Sequence, residues 1–187
     1  MSQVNPMPAV PVLNYAGPVV PSRPAFNARR AWAWKGDHLF RVYLSTTHLY
    51  FVRIGGARNQ GAALHGGLLG ALIGMWLNSM AKKKEAKRVL EFEDKSMDEL
   101  LAGHKRNHVI PVADVSDLAI ESTGFWGGNR VRLAFRQVGE KKPVRCVLEG
   151  TSDVDAAIQQ LPMLFPGLRI SVQRKPGKDK YVKIPVR

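Results

Sequence analysis

The stretch from Gly61 to Ala81, GAALHGGLLGALIGMWLNSMA, carries no charge over its 21 residues and stops against Lys82, Lys83 and Lys84. At about 1.5 Å per residue, a helix of this length reaches about 30 Å, the thickness of a bilayer core. Gly66, Gly70 and Gly74 recur every four residues and line up on one helical face, where the missing side chains let another backbone come close. Leu64, Leu68, Leu72 and Met75 form an adjoining face, and Leu69, Ile73 and Leu77 carry the apolar surface further round. A helix apolar over most of its circumference has to be covered by something. Three covers are open. It packs on its own domain or on a second copy of the chain through the glycine face, it enters a membrane surface shallowly, or it spans a bilayer.

The flanking segments weigh against a simple span. His38 to Thr46 and His48 to Ile54 are rich in aromatic and β-branched residues and predict two neighbouring strands around a tight turn at Thr46-Thr47. After His108 the same signal returns, with a strand start at Val109 to Val112 and strands over Val115 to Glu121, Arg130 to Gln137 and Pro143 to Glu149. A lone hairpin is marginal in water, so the strands on the two sides of the insertion are expected to share one sheet. One crossing would hold them on opposite sides of a membrane, and Arg88 to His108 is too charged to cross back.

Around this core the boundaries fall at residues 30 and 172. The first 25 residues hold half of the 12 prolines and predict an extended, disordered leader over 1–29. No basic n-region precedes an unbroken apolar run there, so no secretory signal is expected. Residues 31–35 are a further short strand candidate. Within the insertion, 55–108, Ser96 and Glu99 form a capping box for a helix ending at Gly103, and 89–93 are expected to be helical. An amphipathic helix is predicted from Asp153 to about Phe165, capped by Ser152, with Val154, Ile158, Leu161 and Leu164 on one stripe. A short strand follows at Leu168 to Val172, and 173–187 read as a basic tail.

Tyr43 to Phe51, YLSTTHLYF, resembles the strand, Thr-containing turn and Leu-Tyr-Phe pattern of the pleckstrin-homology-like (PH-like) superfamily, in its GRAM-type and bacterial branches. Ile110-Pro111-Val112-Ala113-Asp114-Val115 is similar to a second block of that pattern, and the hairpin of 130–148 followed by one helix completes it. His48 stands where an Arg is usual, and the long insertion departs from the compact form. The resemblance implies an α+β fold, a PH-like antiparallel β-sandwich or barrel closed by a C-terminal amphipathic helix, with the helical insertion between strands. It implies no single activity, since such folds host lipid binding, peptide binding and scaffolding alike.

Function therefore has to come from sites. With 28 Lys+Arg against 15 Asp+Glu the net charge is +13, which favours anionic partners. The charge is grouped at Lys82, Lys83, Lys84, Lys87 and Arg88, in the tail, and on the hairpin. There Val131, Leu133 and Phe135 face a core, so Arg130, Arg132 and Arg136 are expected on the outer face, joined by Arg145. Guanidiniums suit phosphate, and each cation near an anionic leaflet contributes about 1 kcal/mol. Phe125 and Trp126, set among glycines in a loop, either cap the barrel mouth or serve as an exposed hydrophobic anchor.

Other chemistry is thinly represented. The sole cysteine, Cys146, excludes an internal disulfide and any multi-Cys zinc site, and fits the inward face of its strand. His104 and His108 have a helical metal spacing, but Gly103 is expected to end the helix before them, so no metal or cofactor is expected. No P-loop, GxSxG or HExxH occurs, and an enzyme is not expected. The leading expectation is a non-enzymatic adaptor in the cytoplasm, peripheral at the inner face of a membrane, that binds anionic phospholipid or an acidic protein. The alternatives are nucleic-acid binding through the basic surface, which lacks a recognition helix or an aromatic sheet face, and self-assembly into a homo-oligomer through the glycine face.

Overall fold

A computed structural model describes residues 23–30, 37–56, 79–80, 83–123 and 130–184. Its strands are β1 (Ala25–Arg30), β2 (His38–Leu44), β3 (His48–Gly55), β4 (His108–Pro111), β5 (Val115–Ser122), β6 (Val131–Gln137), β7 (Val144–Leu148), β8 (Arg169–Ile170), β9 (Val172–Arg174) and β10 (Tyr181–Lys183). The helices are α1 (83–93), α2 (Met97–Ala102) and α3 (Thr151–Leu164). The chain is thus α+β, with one large, mostly antiparallel sheet and few helices.

Eight strands form that sheet in the order β4-β3-β2-β1-β7-β6-β5-β8, and β9 pairs with β10 in a second, two-stranded sheet. Every neighbour in the large sheet is antiparallel except β5 and β8. Period-two alternation sends one set of side chains from each strand into a common core: Phe26 and Ala28, Phe40 and Val42, Leu49 and Phe51, Leu133 and Phe135. Helix α3 lies against β1 and adds Val154, Ala157 and Leu161 to the same core, with Ile158 and Leu164 partly buried beside them. Cys146 is fully buried there, and burial pushes its thiol up to about 12. On the opposite face of β2 and β3, Tyr43 and Val52 are covered by Leu100 of α2, with Phe92 and Met97 packed alongside.

The two hairpins of the sequence reading form as expected, and Gly139 supplies the positive φ (84°) that the β6–β7 turn requires. Helix 89–93 and the Ser96–Glu99 capping box are present, with Glu99 N–H donating to Ser96 Oγ at 3.2 Å and Ser96 N–H to Glu99 Oε2 at 2.7 Å.

Four boundaries need correction. The leader does not run to residue 29, because β1 starts at Ala25 and pairs with both β2 and β7, burying Phe26 and Ala28 completely. Helix α3 starts at Thr151, and Ser152 does not cap it; the N-cap is Gly150, with no side-chain hydrogen bond. The expected strand 168–172 divides at Ser171, whose N–H donates to Ile120 O at 2.9 Å, into β8 and β9. Finally, 173–184 are not a tail. They carry most of the β9–β10 hairpin, and Tyr181 packs at 9% exposure in the core while its hydroxyl donates to Asp155. The short strand candidate at 31–35 lies outside the described residues.

Candidate functional site

Helix α1 presents two unlike faces to its surroundings. Arg88 and Phe92, four residues apart, turn toward the sheet: Phe92 packs on the Tyr43–Val52–Leu100 cluster, and Arg88 Nη1 donates to Ile54 O at 3.0 Å. Lys83, Lys84 and Lys87 are exposed, and so is Leu90, at 65%. The Lys87–Glu91 pair, 3.9 Å apart and solvated, constrains that face little. Of the cations expected in this group, Arg88 therefore serves as an anchor while the three lysines remain available. Lys82 lies outside the described residues, as do Gly66, Gly70, Gly74, Phe125 and Trp126.

Behind α1, where the ends of β2 and β3 meet the α2–β4 connection, basic side chains converge. Arg53 Nη1 contacts His104 Nε2 at 2.7 Å, and Arg53 Nε donates to Gly55 O at 3.0 Å. Arg106 Nη1 contacts the His38 ring, and Arg106 N–H donates to His104 Nδ1 at 3.1 Å. A small cleft of about 190 Å³ opens among Arg53, Arg88, Lys95 and His104, with the carboxylates of Glu91 and Glu99 also in its wall. Arg53, Arg88 and Arg106 form no ion pair among the described residues.

This crowding has electrostatic consequences. Desolvation first, then Arg106 and Arg88, holds the Arg53 guanidinium below its ordinary value. His38 is held down by burial, then by Arg106 and Arg53; His104 by burial, then by the same two arginines. Both ring nitrogens of His104 face donors, so taking up a second proton would set both against like groups. A nearby negative charge would relieve the repulsion.

The hairpin arginines are less open than expected. Arg132 is paired with Glu121 at 2.8 Å and Arg136 with Asp117 at 3.2 Å, so β5 neutralises two of them. Asp117 reaches Arg136 from a left-handed φ of 53° at the bulge between Ser116 and Ala119. Arg145, opposite Ala134, is exposed beside them, whereas Arg130 sits apart, in the wall of a larger cleft near the start of α3. The sequence reading thus grouped four arginines that the sheet separates by partner.

His104 and His108 do not act together. His108 stacks on Phe51 with ring centroids 4.9 Å apart and meets Phe40 edge-on, and burial lowers its pKa. Among the described residues, no group of three or more His, Cys, Asp or Glu is placed to hold a metal ion, and no helix is long and apolar enough to cross a membrane. Arg53, Arg106 and His38 were missed as site residues. The one available signal was Arg53, which falls opposite Phe40 in the pairing of two otherwise apolar strands. Comparison of the chain with protein-family models, with curated proteins and with solved structures finds no match.

Proposed function

We propose that this chain is a non-enzymatic, PH-like binding module that docks on an anionic membrane surface through the outer face of α1. The observation that carries the reading is the two-sided placement of that helix. Arg88 and Phe92 hold it on the sheet, leaving Lys83, Lys84 and Lys87 outward with the exposed Leu90. Lysines flanking an apolar side chain suit the boundary between headgroups and acyl chains, where the stems lie along lipid and the ammoniums meet phosphate. The guanidiniums of Arg53, Arg88 and Arg106 behind the helix add positive potential beside it. For the PH-like architecture the support is the strand order, in which β1 joins a run of four strands to a run of three. Helix α3 against β1 would be the closing helix of that architecture.

Co-sedimentation with neutral phosphatidylcholine vesicles and with vesicles containing phosphatidylglycerol tests the reading. The protein should partition to the anionic vesicles alone, and less so at high salt. Replacing Lys83, Lys84 and Lys87 by Gln should weaken that partition by about 3 kcal/mol, taking about 1 kcal/mol for each cation near the leaflet. Equal partition to both vesicle types, or an unaltered triple variant, refutes it.

A further inference from the structure

The β9–β10 hairpin is built to hold its shape. Lys175-Pro176-Gly177-Lys178 closes as a tight turn, with Pro176 second, Gly177 third at a φ of 68°, and Lys178 N–H donating to Lys175 O at 3.1 Å. The hairpin is also pinned to α3: the Tyr181 hydroxyl donates to Asp155, and Arg174 Nη1 stands 3.6 Å from the same carboxylate.

One edge of this small sheet is used and the other is open. Lys175 N–H donates to Lys180 O and Ile184 N–H to Ser171 O, both at 2.9 Å, so Lys180, Val182 and Ile184 turn their main-chain groups toward β9. Tyr181 and Lys183 alternate with them and turn theirs outward, where they bond to no other main-chain group among the described residues. Residues 179–182 border a cleft of about 700 Å³ whose other wall is the start of β6 and the end of β7. A strand that lines a cleft with consecutive rather than alternate residues presents its edge. The outer edge of β4 is treated differently, because Pro111 falls at an outward position there and has no N–H to offer.

Open N–H and C=O groups along an edge are a template for another extended backbone, and a sheet of two strands gains from a third. Side chains narrow what that third strand can be. Val131, Val147 and Val182 give the cleft an aliphatic lining, while Arg130 and Lys180 stand exposed at its rim and Lys183 is exposed further along β10. Pairing β10 with a second copy of itself would gather the lysines of both chains on one seam, which disfavours that partner. The carboxylates nearby are engaged within the domain: Glu149 with Arg29 at 2.6 Å, Asp179 with Arg174 at 3.1 Å, and Asp153 with the Asn27 N–H at 2.7 Å.

We propose that the outer edge of β10 takes an extended segment of another protein as an added strand, and that this segment alternates aliphatic with acidic residues. Its backbone would exchange hydrogen bonds with Tyr181 and Lys183. An aliphatic side chain would sit beside Val182 over the cleft, and acidic ones would meet Lys183 and the rim cations. Main-chain bonds would supply affinity, and the alternate side chains specificity. This surface is separate from α1, so failure of the membrane proposal would leave it untouched.

Backbone NMR titrated with two short capped peptides tests it, one alternating valine with glutamate and the other valine with lysine. With the glutamate peptide the Tyr181 and Lys183 amides should shift saturably and become protected from exchange. The lysine peptide should bind at least about tenfold more weakly. Methylating the glutamate peptide's amide nitrogens on the side that meets β10 should abolish the shifts in wild-type protein, a loss that charge attraction alone would not produce. Lys183→Pro removes the outward N–H and leaves the bonds to β9 whole, so it should keep the melting temperature and lose the peptide. Lys183→Gln, which retains that N–H, should weaken binding less, and the Lys83/Lys84/Lys87 variant should bind as wild type does. Three results would overturn the proposal: no saturable shift at Tyr181 and Lys183, undiminished binding of the methylated peptide, or concentration-dependent shifts of those amides in the protein alone, which would give the edge to a second copy.

Discussion

Arg29 and Glu149 meet through two parallel bonds across 120 residues of sequence, and a buried pair of this kind is felt most when one member is lost. Arg29→Met should cost about 3 kcal/mol in urea denaturation, because it removes both guanidinium bonds to the Glu149 carboxylate. Histidines give the second residue-level expectation. His38, His104 and His108 all take up protons less readily in the fold than in the unfolded chain, where they titrate near about 6.5. Their contribution to stability is therefore full above that value and lost as pH falls below it, toward the lower folded values. The urea midpoint should decline from pH 7.5 to pH 5, and His108→Phe, which keeps a ring on Phe51, should flatten the decline. These residues were the hardest to read in the sequence. Two adjacent arginines after Ala28 look like solvent-facing residues, and nothing local announces that Glu149 will meet one of them. Period two correctly assigned Val131, Leu133, Phe135 and Cys146 to the core, since that needs only the strand itself.

At the level of elements, what is local was legible and what depends on a neighbour was not. The Ser96–Glu99 box is a four-residue signal and was identified; Ser96→Ala should cost about 1 kcal/mol by thermal melting. Ser152 offered a similar signal for α3 and misled, because the chain turns helical at Thr151 and leaves Gly150 at the cap. The docking of α2 could not be read either, since its partner surface is Tyr43 and Val52, far away in sequence. Leu100 is 2% exposed there. Leu100→Ala should cost about 2–5 kcal/mol and loosen the seat of Phe92. If α1 docks through that seat, the variant should also lose affinity for anionic vesicles at temperatures where the sheet remains folded.

For the molecule as a whole, the alternation of strands, insertion, strands and helix was apparent from hydrophobic patterning, while both ends were assigned too little structure. Prolines made the first 29 residues look uniformly extended, and lysines made the last 15 look like a tail. Both ends are recruited by contacts distant in sequence, β1 by β7 and Tyr181 by Asp155. Ending the chain at residue 172 should lower the urea midpoint, since it uncovers the core that Tyr181 closes. Tyr181→Phe should cost only about 1 kcal/mol, the worth of the hydroxyl's bond. The position of β1 between β2 and β7 also has a temporal consequence during synthesis. Residues 25–55 hold three strands that can pair with one another as soon as they are made, but Val147, the partner of Arg29, emerges more than a hundred residues after it. At about 5–20 residues per second that delay is on the order of ten seconds, during which one edge of β1 stays open to chaperones or to neighbouring nascent chains. A chain arrested after residue 123 should show amide protection in β2 and β3 while the β7-facing amides of β1 exchange freely.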